Sequence, residues 1–202
     1  AMTSGKRAIA AGPGNPPVVV DETADIAKAG RDIVFGASLD NNVICIVEKE
    51  IIAVSEIADA LKRELKANHA VEIKGGDLRR LEKLLITPDD HVNRDYIGKD
   101  AALILADAGI RAPDSTRLVF AEVDESHPFV QHEMLMPVVG FVRTPDVDSA
   151  IECAVRVEHG YGHTSVMHST NVNALSRMAR AVNTSIFVKN GPSCAGVGLG
   201  GE

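Results

Sequence analysis

The chain has 202 residues, which is long enough for one α/β domain with a substantial buried core. Acidic residues outnumber Lys and Arg by 28 to 21, and the basic residues form no stripe along the sequence, which excludes nucleic acid as the main partner. No apolar run reaches the ~20 residues that span a bilayer, and the first residues lack a signal-peptide pattern, so the sequence predicts a cytoplasmic protein without a membrane segment.

The first predicted elements are a strand and a helix. The apolar run at 18–20 predicts a short buried strand, which follows a loop rich in Gly and Pro. A helix is expected to follow and to run to about Phe35, with Asp21 or Thr23 as the residue that caps it. This order, a strand and then a helix, is the first β-α unit of the chain.

A second β-α unit follows a turn of Asp and Asn residues. The segment "EKEIIAV", residues 48–54, is rich in β-branched residues and predicts a strand. Ser55 is expected to cap the next helix, in which Ile57, Leu61 and Leu65 recur on one face.

The remainder of the chain continues the alternation of strands and helices. The predicted elements are a strand at 70–74, helices at 76–85 and 99–109, strands at 116–123 and 136–144, a helix at 145–160, a strand at 163–169, a helix at 171–182 and a strand at 184–191. Strands that are separated by single helices are typical of a parallel sheet with helices on both faces. The sequence therefore predicts one domain of the three-layer α/β class.

Three widely spaced cysteines argue against both a disulfide framework and a zinc knuckle. Cys153 lies on the apolar side of a predicted helix and is expected in the core, whereas Cys194 is expected in a flexible Gly-rich loop. Cys45 follows a turn and precedes a strand, which would allow exposure at an edge of the sheet. Its spacing alone leaves two interpretations open, a buried packing residue and a nucleophile.

Two further residue types suggest chemistry near the starts of predicted strands. Glu133 directly precedes an apolar strand, where a carboxylate could accept hydrogen bonds from ribose hydroxyls or could simply be solvated. The histidines His159, His163 and His168 do not have the spacing of a zinc site, so no metal is expected. A neutral imidazole at a strand entrance could still act as a general base. The dinucleotide fingerprint, G-x-G-x-x-G after a strand with an acidic residue ~20 positions later, is not found, and the Gly-rich run at 196–201 has no following helix and is interpreted as a loop.

Five segments, taken together and in order, resemble the catalytic half of the CoA-acylating aldehyde dehydrogenases of bacterial microcompartments, which act on propionaldehyde or acetaldehyde. The segments are "GPGNPPVVVDETADI", "DNNVICIVEKEIIAV", "HPFVQHEMLMPVVGFV", "EHGYGHTSVMHS" and "SIFVKNGPSCAGVGLGGE". The resemblance implies that Cys45 is the nucleophile, that Glu133 holds the nicotinamide ribose of NAD, and that His163 assists coenzyme A, although packing in the turn is an alternative role for His163.

The same resemblance implies a reaction, a domain organisation and partners. Short-chain aldehyde and CoA would become acyl-CoA through a cysteine thioester, with NAD as the hydride acceptor. The expected domain is residues 1–202, a catalytic domain cut from a larger enzyme. The nucleotide-binding domain of that enzyme is expected outside these residues, and the catalytic domain is expected to be inactive alone. The family implies a homo-oligomer, and shell proteins are expected partners inside a microcompartment. Two alternatives remain, a hydrolytic aldehyde dehydrogenase and a non-catalytic α/β assembly module.

Overall fold

The fold is known from a computed structural model, which describes residue 3 and the ranges 5–7 and 12–199. Within these residues seven strands form one sheet in which every pair is parallel. The strands are β1 (Pro17–Val20), β2 (Glu50–Val54), β3 (Ala70–Glu72), β4 (Leu118–Glu122), β5 (Val138–Thr144), β6 (Thr164–His168) and β7 (Ile186–Lys189). Their spatial order is β3-β4-β5-β2-β1-β6-β7.

Seven α-helices connect or follow the strands in the described part of the chain. They are α1 (Ile26–Ala37), α2 (Ser55–Ala67), α3 (Gly75–Leu85), α4 (Ala101–Asp107), α5 (Pro128–Gln131), α6 (Val147–Val157) and α7 (Val172–Val182). Short 3-10 helices span Leu39–Asn42, Arg94–Tyr96 and Ser193–Val197. None of the helices in these ranges has both the length and the apolar composition that a membrane span requires.

The order of the strands determines which face each helix covers. The connection β1-α1-β2 moves across the sheet in one direction, whereas β5-α6-β6 moves in the other. Because parallel crossovers are right-handed, these two directions place the helices on opposite faces. Helix α1 packs against α2 on one face and α6 packs against α7 on the other. The three-layer α/β prediction is therefore confirmed.

The central strands are apolar because helices cover them on both sides. Val18, Val19 and Val20 of β1 are fully buried, as are Ile51 and Ile52 of β2. Side chains on both faces of these strands thus belong to the core, which explains why the sequence shows continuous apolar runs here instead of alternation.

The predicted start of the first helix was wrong. Asp25 is the N-cap of α1, and its side chain accepts a hydrogen bond from the Lys28 N–H at 3.0 Å. The buried Asp21 carboxylate accepts from the Thr23 N–H at 2.9 Å and from the Ser169 hydroxyl, so it joins the ends of β1 and β6. A carboxylate engaged in this tertiary contact is not available to cap a helix.

The second β-α unit begins slightly later than predicted. Strand β2 starts at Glu50 and not at Glu48. Ser55 is the first residue of α2, after Val54 in the N-cap position, and its hydroxyl donates to the Thr144 carbonyl at 2.9 Å. The helix is therefore not capped by Ser55, and the hydroxyl joins the helix to the end of β5.

Candidate active site

The predicted site residues lie at the amino edge of the sheet. Cys45 comes shortly before β2, Glu133 before β5, and His163 directly before β6. Parallel strands begin at the same edge, and β5, β2 and β6 lie within four consecutive positions of the sheet, with β1 between β2 and β6. Cys45 is exposed, whereas Glu133 and His163 are half-buried. The fold thus gathers all three residues on one edge of the sheet.

Gly14 lies between the Cys45 backbone and the His163 ring. A β-carbon added at Gly14 would lie 3.1 Å from the Cys45 carbonyl oxygen and 3.1 Å from Cγ of the His163 ring. Both groups therefore approach the same point of the backbone, and a side chain at this position would force one of them to move by a few tenths of an ångström. The sequence analysis did not identify Gly14, because one glycine in the "GPGNPP" loop is not distinguishable from an ordinary turn residue.

The turn before Cys45 has an unusual backbone. Asp40, Asn41 and Asn42 are consecutive left-handed residues, with φ angles of 48°, 50° and 65°. Asp and Asn are the non-glycine residues that tolerate this region best. The buried Asn42 amide also donates to the Ala37 carbonyl at 2.7 Å and to the Glu48 carbonyl at 2.9 Å. These hydrogen bonds fix a turn that would otherwise be strained.

Lys49 supports the same turn from inside. Its buried ammonium donates to the backbone carbonyl and to the side-chain oxygen of Asn42, both at 2.7 Å, and lies 3.4 Å from the Ile44 carbonyl. Burial lowers the pKa of Lys49 to about 8, and negative charge at Glu133 and at Cys45 opposes this effect. The Lys49 charge therefore interacts with two of the predicted site residues.

Glu48 joins the nucleophile turn to the last 3-10 helix. Its fully buried carboxylate accepts from the Ser193 N–H at 2.8 Å and from the Ser193 hydroxyl at 2.7 Å. Burial raises the pKa of Glu48 to about 7, and the two Ser193 hydrogen bonds lower it in part. A β-carbon at Gly36 would clash with this carboxylate at 2.3 Å, so glycine provides its space.

The prediction that Cys194 lies in a flexible exposed loop was wrong. Cys194 is fully buried in the 3-10 helix Ser193–Val197 and packs with Ile46 and Val47, which directly follow Cys45. The Gly-rich composition hid this local helix. The expectation for Cys153 is confirmed, because it is buried in α6.

His163 is held from two sides at the entrance of β6. Its backbone N–H donates to the buried Glu158 carboxylate at 2.9 Å. Its Nδ1 shares a hydrogen bond with the Thr164 hydroxyl at 2.9 Å. Nε2 is then the ring nitrogen that remains available to a bound group, as a general base near Cys45 would require.

Glu133 faces a cavity of about 790 Å³, which is within the usual size range of small-molecule sites. Its walls also include Pro13, Arg94, Gln131 and Tyr161. A half-buried carboxylate in such a cavity can accept hydrogen bonds from ligand hydroxyls. The residues present thus fit a bound ribose.

The arrangement provides the elements of nucleophilic chemistry. Cys45 presents an exposed thiol, and its backbone N–H makes no hydrogen bond within residues 12–199. An N–H of this kind is free to donate to an oxyanion that forms on an attacked carbonyl. Among the described residues, no group of three or more His, Cys, Asp and Glu side chains could hold a metal ion.

Curated proteins show which enzymes the chain resembles. It is 50% identical over 202 residues to the acetaldehyde dehydrogenase (acetylating) EutE of Salmonella typhimurium. The alignment covers 98% of this chain and 43% of that protein. It is 45% identical to a propanal dehydrogenase (CoA-propanoylating) of the same organism, over 100% of this chain and 43% of that protein. The chain thus spans less than half the length of these relatives. No family model matches it.

Solved structures give the same result for the fold. A Rhodopseudomonas palustris propionaldehyde dehydrogenase with bound CoA and an acylated cysteine is 50% identical and superposes with a TM-score of 0.96, over 100% of this chain and 46% of that one. A propionaldehyde dehydrogenase from the fucose utilisation microcompartment of Clostridium phytofermentans is 44% identical with a TM-score of 0.94, over 100% of this chain and 46% of that one. The resemblance found in the sequence is confirmed.

Proposed function

We propose that this chain provides the nucleophile of a CoA-acylating aldehyde dehydrogenase, because it belongs to that family over the segment that it spans. The substrates would be a short-chain aldehyde and CoA, and the product an acyl-CoA. The observation that carries the proposal is the exposed Cys45, whose backbone N–H has no hydrogen-bond partner within residues 12–199 and whose carbonyl oxygen and the His163 ring both approach Gly14.

Cys45 would act in two stages. Its thiolate adds to the aldehyde carbonyl and forms a carbon–sulfur bond, while the negative charge moves to the oxygen beside the Cys45 N–H. Loss of hydride from this thiohemiacetal leaves a thioester on Cys45. The thiolate of CoA then attacks the thioester, the acyl group moves to CoA, and the bond to Cys45 breaks to restore its thiolate. The acylated cysteine of the R. palustris enzyme supports a covalent intermediate of this kind.

Glu133 would hold the nicotinamide cofactor. NAD, when bound, supplies the acceptor for the hydride that leaves the thiohemiacetal. The Glu133 carboxylate lines the 790 Å³ cavity at the same edge of the sheet as Cys45, where it can accept hydrogen bonds from ribose hydroxyls. One solved relative, an engineered glycolyl-CoA reductase, contains NADP+, so the proposal extends to either nicotinamide dinucleotide.

His163 would take the proton from the CoA thiol. Its Nε2 is available near Cys45, and a neutral imidazole is suited to this transfer near neutral pH. The Clostridium phytofermentans enzyme has been solved with a histidine replaced by alanine and, separately, with a cysteine replaced by alanine. Those two positions have the same separation along that chain as Cys45 and His163 have here, which supports the pairing of these residues.

The proposed location follows from the same relatives. The C. phytofermentans enzyme comes from a fucose utilisation microcompartment. We place this chain in the cytoplasm, inside such a compartment, with assembly into a homo-oligomer and contact with shell proteins as parts of the proposal. Co-purification of the protein with intact compartments tests the location. Recovery of the protein only outside the compartments would contradict the location.

The test of the reaction is acyl transfer in the reverse direction. A longer enzyme that includes this segment is incubated with propionyl-CoA, and intact-mass measurement followed by peptide mapping locates any propionyl group. We expect one propionyl group on Cys45, none on the Cys45→Ala variant, and an unchanged result for Cys153→Ala. Propionylation of another residue, or of none, would contradict the assignment. A longer enzyme that includes this segment should form NADH only in parallel with acyl-CoA, whereas free acid as the product would favour the hydrolytic alternative.

A further inference from the structure

Lys49 is buried without a carboxylate partner, which is unusual for a lysine. It lies between Glu48 and Glu50 in the sequence, yet within the described residues its ammonium forms no salt bridge. Glu48 instead accepts hydrogen bonds from Ser193, and both oxygens of the buried Glu50 carboxyl have no hydrogen-bond partner. A buried ammonium costs several kcal/mol when no carboxylate neutralises it at contact distance, and the hydrogen bonds of Lys49 to the turn offset this cost only in part.

The acceptors of Lys49 are oxygens of the turn that leads to Cys45. Two belong to Asn42, and the third is the Ile44 carbonyl at 3.4 Å. The Ile44 carbonyl and the Cys45 N–H are parts of one peptide group, and in a trans peptide they point in opposite directions. The Ile44 carbonyl also accepts from the Val47 N–H at 3.2 Å, and an ammonium that attracts this carbonyl helps to direct the Cys45 N–H away from Lys49.

The same contact strengthens the Cys45 N–H as a donor. A positive charge at a carbonyl oxygen polarises the peptide group and makes its N–H a better donor, because linked hydrogen bonds reinforce each other in a medium of low dielectric constant. The titratable groups that interact with Lys49 are Glu133, Glu50, Cys45 and Glu48, and negative charge on any of them opposes the lowering of the Lys49 pKa by burial.

We propose that Lys49 is a positioning residue for the oxyanion that forms during acyl transfer, because it orients and polarises the peptide group between Ile44 and Cys45. This inference rests on the proposed function, in which Cys45 forms a thioester. Lys49 acts through that peptide group and does not touch the substrate. Its loss should therefore slow only those reactions of Cys45 that create an oxyanion.

Two reagents separate the two kinds of reaction. Acetylation of Cys45 by p-nitrophenyl acetate passes through a tetrahedral oxyanion, whereas alkylation by iodoacetamide displaces iodide and forms no oxyanion. In the Lys49→Met variant we expect acetylation to be at least tenfold slower and alkylation to remain within threefold of the wild type. The ratio of the two rates cancels any change in the amount of thiolate or in the exposure of the thiol.

Lys62→Met is the matched control, because Lys62 is also buried but contacts Glu72 and Glu122 at the other edge of the sheet. It should lower the melting temperature and leave the ratio unchanged. If Lys49→Met does not fold, Lys49→Gln, which keeps donors but has no charge, should show the same selective loss. If Lys49→Met slows acetylation and alkylation equally, or slows neither, the role of Lys49 is wrong, while the proposed function is unaffected. Failure of p-nitrophenyl acetate to acetylate Cys45 in the wild type would overturn the proposed function as well.

Discussion

The Glu48 carboxylate and Ser193 form a closed pair in which the backbone N–H and the hydroxyl of the serine both donate to the acid. These residues are distant in the sequence, and the pair joins the segment after Cys45 to the last described helix of the chain. Both are fully buried. A titratable side chain therefore fixes the segment that follows Cys45 to the 3-10 helix Ser193–Val197.

The first prediction concerns the pH dependence of stability. Burial raises the pKa of folded Glu48 to about 7 from 4.5. The folded state therefore binds a proton more tightly than the unfolded state. The contribution of Glu48 to stability is fully present below pH 4.5 and is lost as the pH rises through 7. At ~1.4 kcal/mol for each pKa unit, the loss is about 3 kcal/mol.

Denaturant unfolding between pH 5 and 8 tests this contribution. Glu48→Gln keeps a side chain of the same size without the titration, so its stability should decrease less over this range than that of the wild type. The control is Glu56→Gln, at an exposed position in the first turn of α2, which should leave the pH dependence unchanged. An unchanged pH dependence in Glu48→Gln would mean that other groups cause it.

The second prediction is that Gly14→Ala damages the site with little effect on the fold. The new methyl group would be 3.1 Å from the Cys45 carbonyl oxygen and from the His163 ring, so one of them must move. We expect acylation of Cys45 to slow by about tenfold, since small displacements of reacting groups have effects of this size. Gly12→Ala is the control, because its methyl group would meet no atom of the described residues within 4 Å. Equal rates in the two variants would show that this close approach has no effect on the chemistry.

The third prediction is selective labelling of one cysteine. Cys45 is exposed, whereas burial raises the pKa of Cys153 to about 12, with a further contribution from Glu125. Cys194 is buried in a helix. Iodoacetamide at pH 8 should modify Cys45 at least a hundredfold faster than either of the others, because the thiolate is the reactive form. Peptide mapping over time measures the three rates, and comparable rates would contradict the assignment of Cys45.

The fourth prediction separates the cofactor role of Glu133 from the acyl chemistry. In a longer enzyme that includes this segment, Glu133→Gln should slow hydride transfer by about tenfold or more and acyl transfer to CoA much less, because a neutral amide holds the ribose less firmly. Single-turnover measurements of NADH and of acyl-CoA give the two rates. A greater loss in acyl transfer would remove Glu133 from the cofactor site.

The fifth prediction follows from the pKa of Lys49, which burial lowers to about 8. As the pH rises through 8, Lys49 loses its charge and polarises the Cys45 peptide group less. The ratio of acetylation by p-nitrophenyl acetate to alkylation by iodoacetamide should therefore fall between pH 7 and 9 in the wild type. In Lys49→Met the ratio should be low and constant over this range. A constant ratio in the wild type would contradict the effect of the charge.

The sequence predicted the elements well where one residue type determined the structure. The apolar runs of β1 and β2 required a buried parallel sheet, and the loops before the strands then had to meet at one edge. The cap of α1 was missed because the choice between Asp21 and Asp25 depends on Ser169, a distant partner. Spacing cannot reveal such a contact.

The site itself was predicted only in part, and for a similar reason. The reactivity of thiols made Cys45 a candidate, but the periodicity of the sequence did not distinguish a packing residue from a nucleophile. The prediction that Cys45 is the nucleophile came from the segments that resemble a known family. Gly14 and Lys49 have no local signal, since a glycine in a loop and a lysine between two glutamates read as ordinary surface residues. Their importance depends on groups that the fold brings to them.

The strand order also has a consequence for the biosynthesis of the chain. Strand β1 lies between β2 and β6, so one of its sides stays unpaired during synthesis until residue 168 has left the ribosome. Pairing between such distant segments is slow, and an unpaired apolar strand promotes aggregation in the meantime. Because β6 carries His163 to its place beside Gly14, the same late docking step completes the core and assembles the site. Formation of the core and assembly of the candidate site are therefore parts of one folding step.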